Sequence, residues 1–189
     1  MNGELERVIR KIRVVLTDVD GVLTDGTIYK GNDDLEFKRF SVLDGAAVAM
    51  ARVAEMKVII VSGRYSPATE SRAKELGLEN DCYQGELNKM NVYLDLKEKY
   101  GFADEEAAFI GDDLIDLSVM ETVALPIAVA NAHSLVKETA KLTTVASGGE
   151  GAFREAVELI LKSQGIYEAT LESLRKSVLT EEEVGNGEE

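Results

Sequence analysis

The sequence is poor in cysteine, histidine and positive charge. Cys82 is its only cysteine, which excludes an intrachain disulfide and is compatible with a reducing compartment. His133 is its only histidine, and it stands at a predicted helix start, where we give it no catalytic role. The 21 Lys and Arg residues are outnumbered by 35 Asp and Glu residues, which gives a net charge of −14. This excess argues against nucleic acid and against an anionic membrane surface as partners.

Long apolar runs are also absent from the sequence. No run approaches the roughly 20 apolar residues that span a bilayer. Residues 1–15 mix charges and lack the apolar stretch of a secretory signal. These absences predict a cytoplasmic protein. Apolar residues make up 45% of the chain, which is enough for the core of one domain.

Apolar runs rich in β-branched residues alternate with helical patterns along most of the chain. The alternation predicts strands at 11–17, 57–62, 107–111, 126–130 and 142–146, and helices at 46–56, 67–77, 88–101 and 114–123. Repeated strand–helix units form a mainly parallel, doubly wound sheet, and strands as apolar as 57–62 indicate helices on both faces. We therefore predict an α/β protein, a three-layer α/β/α sandwich that binds ligands at the carboxyl ends of its strands.

Residues 27–40 interrupt this alternation and have the pattern of a β-hairpin around GNDD. The hairpin would be inserted between the first strand and the first predicted helix. An isolated ribbon in water would be polar, so its apolar side chains favour a contact between subunits over a free hairpin. These side chains are Ile28, Tyr29, Leu35, Phe37 and Phe40.

The carboxyl-terminal residues 165–189 follow a single predicted domain at 1–164. They begin with the pattern of an amphipathic helix and end in an acidic run. We predict that the last ten residues are disordered, because charge runs at a chain end seldom bury enough surface to fold.

Carboxylates directly follow two of the predicted strands. Asp18 and Asp20 follow the first strand in VVLTDVDG, and Asp112 and Asp113 follow AAFIG, with Asp116 close behind. Each group alone is explained by a turn or a helix cap. Together, at one edge of a parallel sheet, they would gather negative charge that needs a hard cation. Oxygen ligands without His or Cys select Mg²⁺ or a similar ion.

Two further polar groups suit a phosphate site. Ser62 ends the strand at 57–62 and is followed by Gly63 and Arg64. A Ser hydroxyl and the amides after it can donate to a phosphoryl oxygen, although a helix cap and a surface arginine also explain this group. Lys89 lies near the start of a predicted helix, where most lysines are solvated. A transferring phosphoryl group nevertheless needs a cation.

These groups are similar to the four motifs of the haloacid dehalogenase (HAD) superfamily. DVDGVLTDG, VSGR, the Lys89 of QGELNK, and GDDLID occur in the order and at roughly the spacing of that superfamily. GTIY, EFKRFSVLDG, DCYQG and GGEGAFRE resemble its small sugar-acid phosphatase branch, which includes the 3-deoxy-D-manno-octulosonate 8-phosphate phosphatases. The resemblance covers about residues 12–164.

The resemblance implies a catalytic role for four matched residues. Asp18 would be the nucleophile that forms an aspartyl phosphate. Asp20 would protonate the leaving oxygen and then activate water as a base. Ser62 and Lys89 would hold the phosphoryl oxygens.

The resemblance also implies a metal site and a substrate site. Mg²⁺ would be bound by Asp18, by the backbone carbonyl of Asp20 and by Asp112, while Asp113 would orient the metal's waters or the lysine. The candidates for binding the rest of the substrate are Gly63, Arg64 and the turn at 148–155. Asp44 fits a helix cap at least as well as a substrate contact, and Asn131 stands where an Asp is expected in this branch.

The implied function is a Mg²⁺-dependent phosphomonoesterase for a phosphorylated keto sugar acid such as 3-deoxy-D-manno-octulosonate 8-phosphate, in lipopolysaccharide biosynthesis. Ser62 lies 44 residues after Asp18, and Lys89 lies 27 residues after Ser62, which leaves no room for a cap domain. An uncapped site is open to water unless the substrate or a neighbouring subunit closes it, and members of the branch are homotetramers. The alternatives are a nonulosonate 9-phosphate phosphatase and a non-catalytic module that regulates a sugar-nucleotide synthetase.

Overall fold

Parallel strands form the central sheet of the structure, a computed structural model that describes residues 3–33 and 35–185. The strands are β1 (Val14–Thr17), β2 (Tyr29–Lys30), β3 (Glu36–Phe37), β4 (Lys57–Ser62), β5 (Cys82–Gln84), β6 (Ala107–Gly111), β7 (Leu125–Ala128) and β8 (Leu142–Thr143). The sheet has the order β5-β4-β1-β6-β7-β8, and β2 and β3 form a separate hairpin. Nearly all residues of β1, β4, β6 and β7 are buried, so the sheet is covered on both faces. The predicted α/β sandwich is confirmed.

Helices connect the strands and supply the two outer layers. They are α1 (Gly3–Ile9), α2 (Val42–Val53), α3 (Pro67–Glu75), α4 (Lys89–Tyr100), α5 (Leu117–Met120), α6 (Ser134–Thr139), α7 (Ala152–Gln164) and α8 (Tyr167–Gly185). Ser41 caps α2 and Ser66 caps α3, each through a side-chain oxygen that accepts from a backbone amide of the first turn. His133 caps α6 in the same way, because its Nδ1 accepts from the amide of Leu135 at 3.2 Å.

Most predicted elements are present, and most differences lie at short segments. The helix predicted at 46–56 is α2, which begins four residues earlier behind the cap Ser41, so the cap of this helix expected at Asp44 is wrong. The strands at 57–62 and 107–111 and the helices at 67–77 and 88–101 occur within two residues of their predicted bounds. The elements β5 and α1 were not predicted, whereas α6 begins at the helix start predicted at His133. The predicted helix at 114–123 is instead a 3₁₀ turn at Leu114–Asp116 followed by the single turn of α5. Carboxylates of Asp113 and Asp116 accept backbone amides at this turn and cap it tightly.

The register of the sheet brings three strand ends together. Thr17, the last residue of β1, pairs with Ile60 of β4 on one side and with Ile110 of β6 on the other. Asp18 is therefore one residue past β1, Asp112 is one residue past β6, and Ser62 is the last residue of β4. All three belong to the carboxyl edge of the sheet, where the topology of parallel sheets places ligand sites.

The predicted hairpin is present between β1 and α2. Tyr29 pairs with Phe37 and Lys30 with Glu36 in antiparallel register. Four of the five predicted apolar side chains are exposed, from 38% at Ile28 to 56% at Phe37. The fifth, Phe40, is half-buried and packs against the core of the sandwich, so it does not belong to the exposed face. No separate cap domain occurs in the part of the chain that the structure describes.

The carboxyl-terminal helix α8 packs against α2 and α7. Its backbone is helical to Gly185, which includes the first part of the stretch predicted to be disordered, and residues 186–189 lie outside the described residues. Between residues 3 and 33, and between 35 and 185, no helix combines the length and the apolar character that crossing a membrane requires.

Candidate active site

A group of four charged side chains, three of them buried and Asp112 half-buried, occupies the carboxyl edge of the sheet. It consists of Asp18, Lys89, Asp112 and Asp116, and we call it the strand-end cluster. Lys89, the first residue of α4, places its Nζ 2.8 Å from Oδ1 of Asp18 and 2.6 Å from Oδ1 of Asp116. The side chains of both Lys89 and Asp116 are fully buried. The ammonium therefore joins the end of β1 to the turn that follows β6.

The approach of Asp112 to this cluster depends on a glycine. Gly21 has a φ of +98°, and a Cβ at this position would lie 2.0 Å from Oδ2 of Asp112. Any side chain there would displace the carboxylate. The Asp-Gly pattern that ends VVLTDVDG thus brings two strand ends into contact besides forming a turn.

Burial and mutual repulsion perturb the acid–base behaviour of the cluster. Burial raises the pKa of Asp18 to about 6, although the Lys89 ammonium opposes the shift. Burial, together with the charges of Asp18 and Asp116, raises the pKa of Asp112 to about 8. Burial disfavours the Lys89 ammonium, but the two carboxylates outweigh this effect and raise its pKa. The site is therefore short of positive charge.

The cluster fits a divalent cation. Oxygen atoms of Asp18, Asp112 and Asp116 lie within 4.8 Å of one another. Oδ1 of Asp112 is buried and has no hydrogen-bond partner in the described part of the chain. A hard cation bound by carboxylate oxygens would satisfy this atom and offset the charge that one lysine leaves uncompensated.

Asp116 occupies the position beside the lysine that was predicted for Asp113. Asp113 Oδ1 accepts from the amide of Leu114 at 2.8 Å and caps the 3₁₀ turn. Asp116 instead contacts Lys89, and its Oδ2 accepts from the amides of Asp112 and Asp113 at 2.9 and 3.2 Å. The lysine contact predicted for Asp113 is therefore wrong, and only its role toward metal-bound water stays a prediction. Both oxygens of Asp116 are already engaged, which leaves Asp18 and Asp112 as the better side-chain ligands.

Ser62 and Gly63 lie beside this cluster at the end of β4. The buried Ser62 hydroxyl donates to the carbonyl of Arg64 at 2.9 Å, and it lies 3.4 Å from the amide of the same residue. A Cβ on Gly63 would meet side chains of Leu87 and Ile115 at 3.1 to 3.2 Å. The turn is thus narrow, and it places a hydroxyl and backbone amides next to the strand ends.

Asp20 pairs with Lys38 instead of with Lys89 of the strand-end cluster. Lys38, just past β3, places its Nζ 2.7 Å from Oδ1 and 2.9 Å from Oδ2 of Asp20, and it also donates to the hydroxyl of Thr69 at 3.2 Å. Its side chain is 0% exposed, whereas that of Asp20 is 25% exposed. Sequence reasoning did not single out Lys38, because the partner is 18 residues away and no local pattern links the two.

Arg64 is held by the same hairpin. Both of its terminal nitrogens bond to the carboxylate of Glu36, with one bond at 2.7 Å to Oε1 and the other to Oε2. Lys30 and Ser66 also contact this carboxylate. These contacts, Arg64 first, hold the pKa of Glu36 far below its usual range. Arg64 keeps 40% of its side chain exposed.

The glycine-rich turn at 148–155 packs against the loop that follows β1. The amide of Gly148 donates to Oδ1 of Asn131 at 2.9 Å, and the amide of Gly149 donates to the carbonyl of Val22 at 2.9 Å. A Cβ on Gly148 would lie 1.7 Å from the carbonyl oxygen of Gly21. The first two amides of the turn are therefore used within the protein, and Asn131 supports the turn.

Comparisons with known proteins show the family of this chain. Residues 80–153 match the family of haloacid dehalogenase-like hydrolases. The chain is 46% identical over 154 residues to the 3-deoxy-D-manno-octulosonate 8-phosphate phosphatase of Escherichia coli K12, covering 82% of this chain and 81% of that protein. The chain belongs to the haloacid dehalogenase superfamily.

Solved structures of haloacid dehalogenase-like proteins share this fold. The 3-deoxy-D-manno-octulosonate 8-phosphate phosphatase of Yersinia pestis has a TM-score of 0.86 and 39% identity, covering 89% of this chain and 90% of that one. The enzyme of this name from Moraxella catarrhalis, determined with magnesium ion, phosphate ion and KDO, has a TM-score of 0.87 and 33% identity, covering 92% of this chain and 99% of that one. Within this superfamily member, the contacts of Lys38 and Asp116 are among the features that motif spacing did not predict.

Proposed function

We propose that this chain is a Mg²⁺-dependent phosphatase that hydrolyses 3-deoxy-D-manno-octulosonate 8-phosphate through an aspartyl phosphate. The observation that carries the proposal is the placement of the Asp18 carboxylate, at the end of β1, between the Lys89 ammonium and Asp112. A chain 46% identical over 82% of this sequence has that name, and the Moraxella catarrhalis relative was determined with magnesium ion, phosphate ion and KDO.

The reaction follows from the positions of two carboxylates. An oxygen of Asp18 bonds to phosphorus as the bond from phosphorus to the sugar oxygen breaks, and Asp20 gives that leaving oxygen its proton. Asp20 then takes a proton from water as the water oxygen bonds to phosphorus and the bond between phosphorus and Asp18 breaks. Inorganic phosphate leaves, and both carboxylates return to their starting states.

The other residues hold charge and orientation during these steps. Mg²⁺, bound by Asp18, Asp112 and the backbone carbonyl of Asp20, supplies the positive charge that lets a carboxylate approach an anionic phosphate. The Ser62 hydroxyl and the amide of Gly63 donate to phosphoryl oxygens, and Lys89 contributes its ammonium. Asp113 orients metal-bound water.

Arg64 is the proposed contact for the carboxylate of the sugar acid. Arg64 follows the proposed phosphate donor Ser62 by two residues in the sequence. Glu36 fixes the orientation of the Arg64 guanidinium, and part of the Arg64 side chain stays exposed. Both terminal nitrogens already bond to Glu36, so the N–H groups that Glu36 leaves unbonded would meet the substrate carboxylate. A contact to the carboxylate does not by itself discriminate between sugar acids of different chain length, so the nonulosonate 9-phosphates are the competing substrates.

We also propose that the enzyme is a cytoplasmic homotetramer that assembles through the hairpin. Exposed apolar side chains occur on the hairpin and again beside the site, where Leu87 is 68% exposed and Ile115 is 39% exposed. An uncapped site with an apolar rim would be closed to water by a neighbouring subunit.

The direct test is phosphate release from a panel of phosphorylated sugar acids, with Mg²⁺ and with EDTA. We expect Mg²⁺-dependent release and the highest kcat/KM for 3-deoxy-D-manno-octulosonate 8-phosphate. A higher value for nonulosonate 9-phosphates would replace the substrate but keep the chemistry. No release from any compound would contradict the catalytic proposal and favour a non-catalytic module.

A further inference from the structure

Lys38 is a buried ammonium that the motif-based mechanism leaves without a role. Its side chain is 0% exposed, and its Nζ contacts both oxygens of Asp20 and the hydroxyl of Thr69. A buried lysine is stable only where carboxylates or other acceptors offset the loss of water. The carboxylate that offsets it here is the proposed acid and base of the reaction.

Side chains along residues 36–40 of the hairpin alternate between the body of the protein and solvent, and this alternation points Lys38 inward. The side chains of Glu36 and Lys38 are buried, Phe40 is half-buried, and all three face the body of the protein, while Phe37 and Arg39 between them are exposed. The inward residues meet three different partners: Glu36 holds Arg64, Lys38 holds Asp20, and Phe40 packs on the core. One edge of this short ribbon therefore reaches both the proposed acid–base residue and the proposed substrate contact.

We infer that Lys38 is a positioning residue for Asp20, an inference that rests on the proposed function. A carboxylate that first gives a proton to the leaving oxygen and then takes one from water has to keep its reach to both atoms. An Asp side chain in a loop is free to rotate about its torsion angles. Lys38 restricts this rotation in Asp20 because its Nζ contacts both carboxylate oxygens, at 2.7 and 2.9 Å. The third contact, to Thr69 of α3, anchors the ammonium to the scaffold.

A double-mutant cycle tests this inference. If Lys38 acts through Asp20, Lys38→Met lowers kcat at least about tenfold, a share of the 10²- to 10⁴-fold that general acid–base catalysis contributes, and changes KM little. In an Asp20→Asn background the same substitution has no further effect on kcat. Intact-mass analysis of Lys38→Met during turnover also detects the accumulated aspartyl phosphate that a weakened base leaves behind.

Two further variants keep the outcome interpretable. Lys30→Met removes another hairpin lysine, one that is 58% exposed and contacts Glu36 instead of Asp20, and we expect its kcat to match the wild type. Thr69→Val removes only the anchor of the ammonium and keeps the shape of the side chain, so it serves if Lys38→Met does not fold. We expect it to lower kcat in the wild-type background and not in Asp20→Asn.

The contradicting results for this inference differ from those for the function. Equal losses from Lys38→Met, or from Thr69→Val if Lys38→Met does not fold, in the presence and absence of Asp20 would overturn the positioning role. So would a Lys38→Met enzyme with wild-type kcat. Undiminished activity of Asp20→Asn alone would instead contradict the proposed reaction.

Discussion

The strand-end cluster and the hairpin contacts hold reactive groups in two different ways. In the cluster, Asp18, Lys89 and Asp116 are buried in the body of the sheet, and their charges are offset chiefly by one another. The hairpin contacts, Lys38 with Asp20 and Glu36 with Arg64, join a ribbon of two-residue strands to the body, and in each pair one partner is partly exposed.

This difference predicts that the cluster contributes to the stability of the fold, and that the hairpin contacts mainly set the orientation of side chains at the site. A buried ion pair that loses one partner leaves a charge that water cannot reach, so the fold depends on the Lys89 ammonium, which offsets both Asp18 and Asp116. In each hairpin pair the partly exposed partner, Asp20 or Arg64, can exchange its contact for water, whereas the buried partner, Lys38 or Glu36, cannot. The hairpin contacts therefore set orientation at the site, whereas the cluster contributes to both the fold and the chemistry. Three variants test this contrast.

Lys89→Met is expected to have the largest effect on the fold. It leaves the carboxylates of Asp18 and Asp116 without their ammonium, and we expect the free energy of unfolding at pH 7 without metal to fall by about 3–5 kcal/mol. Lys97→Met is the matched control on the same helix, because Lys97 pairs with Asp104 and is 27% exposed, and it should cost about 1 kcal/mol or less. Urea denaturation measures both, and equal losses would break the contrast.

Asp44→Asn tests the effect of burial on a carboxylate that has no ion-pair partner among the described contacts. Asp44 is buried like Asp18, but its Oδ1 accepts only the amide of Arg154, at 3.0 Å. Burial raises its pKa to about 6, from an ordinary value of about 4. The folded protein thus holds this proton more tightly than the unfolded chain does, and the stabilisation is present below about pH 4 and lost as the pH rises through about 6.

The expected consequence is a pH-dependent difference between two proteins. The free energy of unfolding of the wild type, relative to Asp44→Asn, should fall by about 2 to 3 kcal/mol between pH 4 and pH 7. Taking the difference removes the titration of groups that the two proteins share. Parallel stability curves across this range, from urea denaturation, would show that burial does not perturb Asp44.

Arg64→Met is expected to have the smallest effect on the fold and a distinct effect on substrate binding. Glu36 keeps its contacts with Lys30 and Ser66, so we expect a loss of about 1 kcal/mol or less. The KM for the sugar-acid phosphate should rise about tenfold, equivalent to about 1.4 kcal/mol.

Arg13→Met is the control for Arg64→Met. Arg13 forms a bidentate pair with Glu106 and is 50% exposed, but it lies at the amino end of β1, at the opposite edge of the sheet. Steady-state kinetics should give it a wild-type KM. Equal KM values for the two variants would remove Arg64 from the substrate site.

The contrast also explains what could be predicted from the sequence. Asp18 and Asp112 were predictable because each directly follows a buried strand, and parallel strands end at one edge. The contacts of Lys38 and Asp116 were not predictable. Lys38 reaches Asp20 only because the hairpin folds back onto the body of the protein, and Asp116 reaches Lys89 only because the 3₁₀ turn directs its carboxylate inward. Phe40 has the same apolar character as Phe37, and only the folded course of the chain separates the half-buried Phe40 from the exposed Phe37.

The central claim, that Asp18 becomes phosphorylated, is tested most directly with the Asp20→Asn protein. Mixed with Mg²⁺ and 3-deoxy-D-manno-octulosonate 8-phosphate, it should accumulate one added phosphoryl group by intact-mass analysis, located by peptide mass on the segment that contains Asp18. The Asp18→Asn, Asp20→Asn double variant should carry none. An adduct that persists in the double variant, or phosphate release by Asp18→Asn at the wild-type rate, would contradict the account.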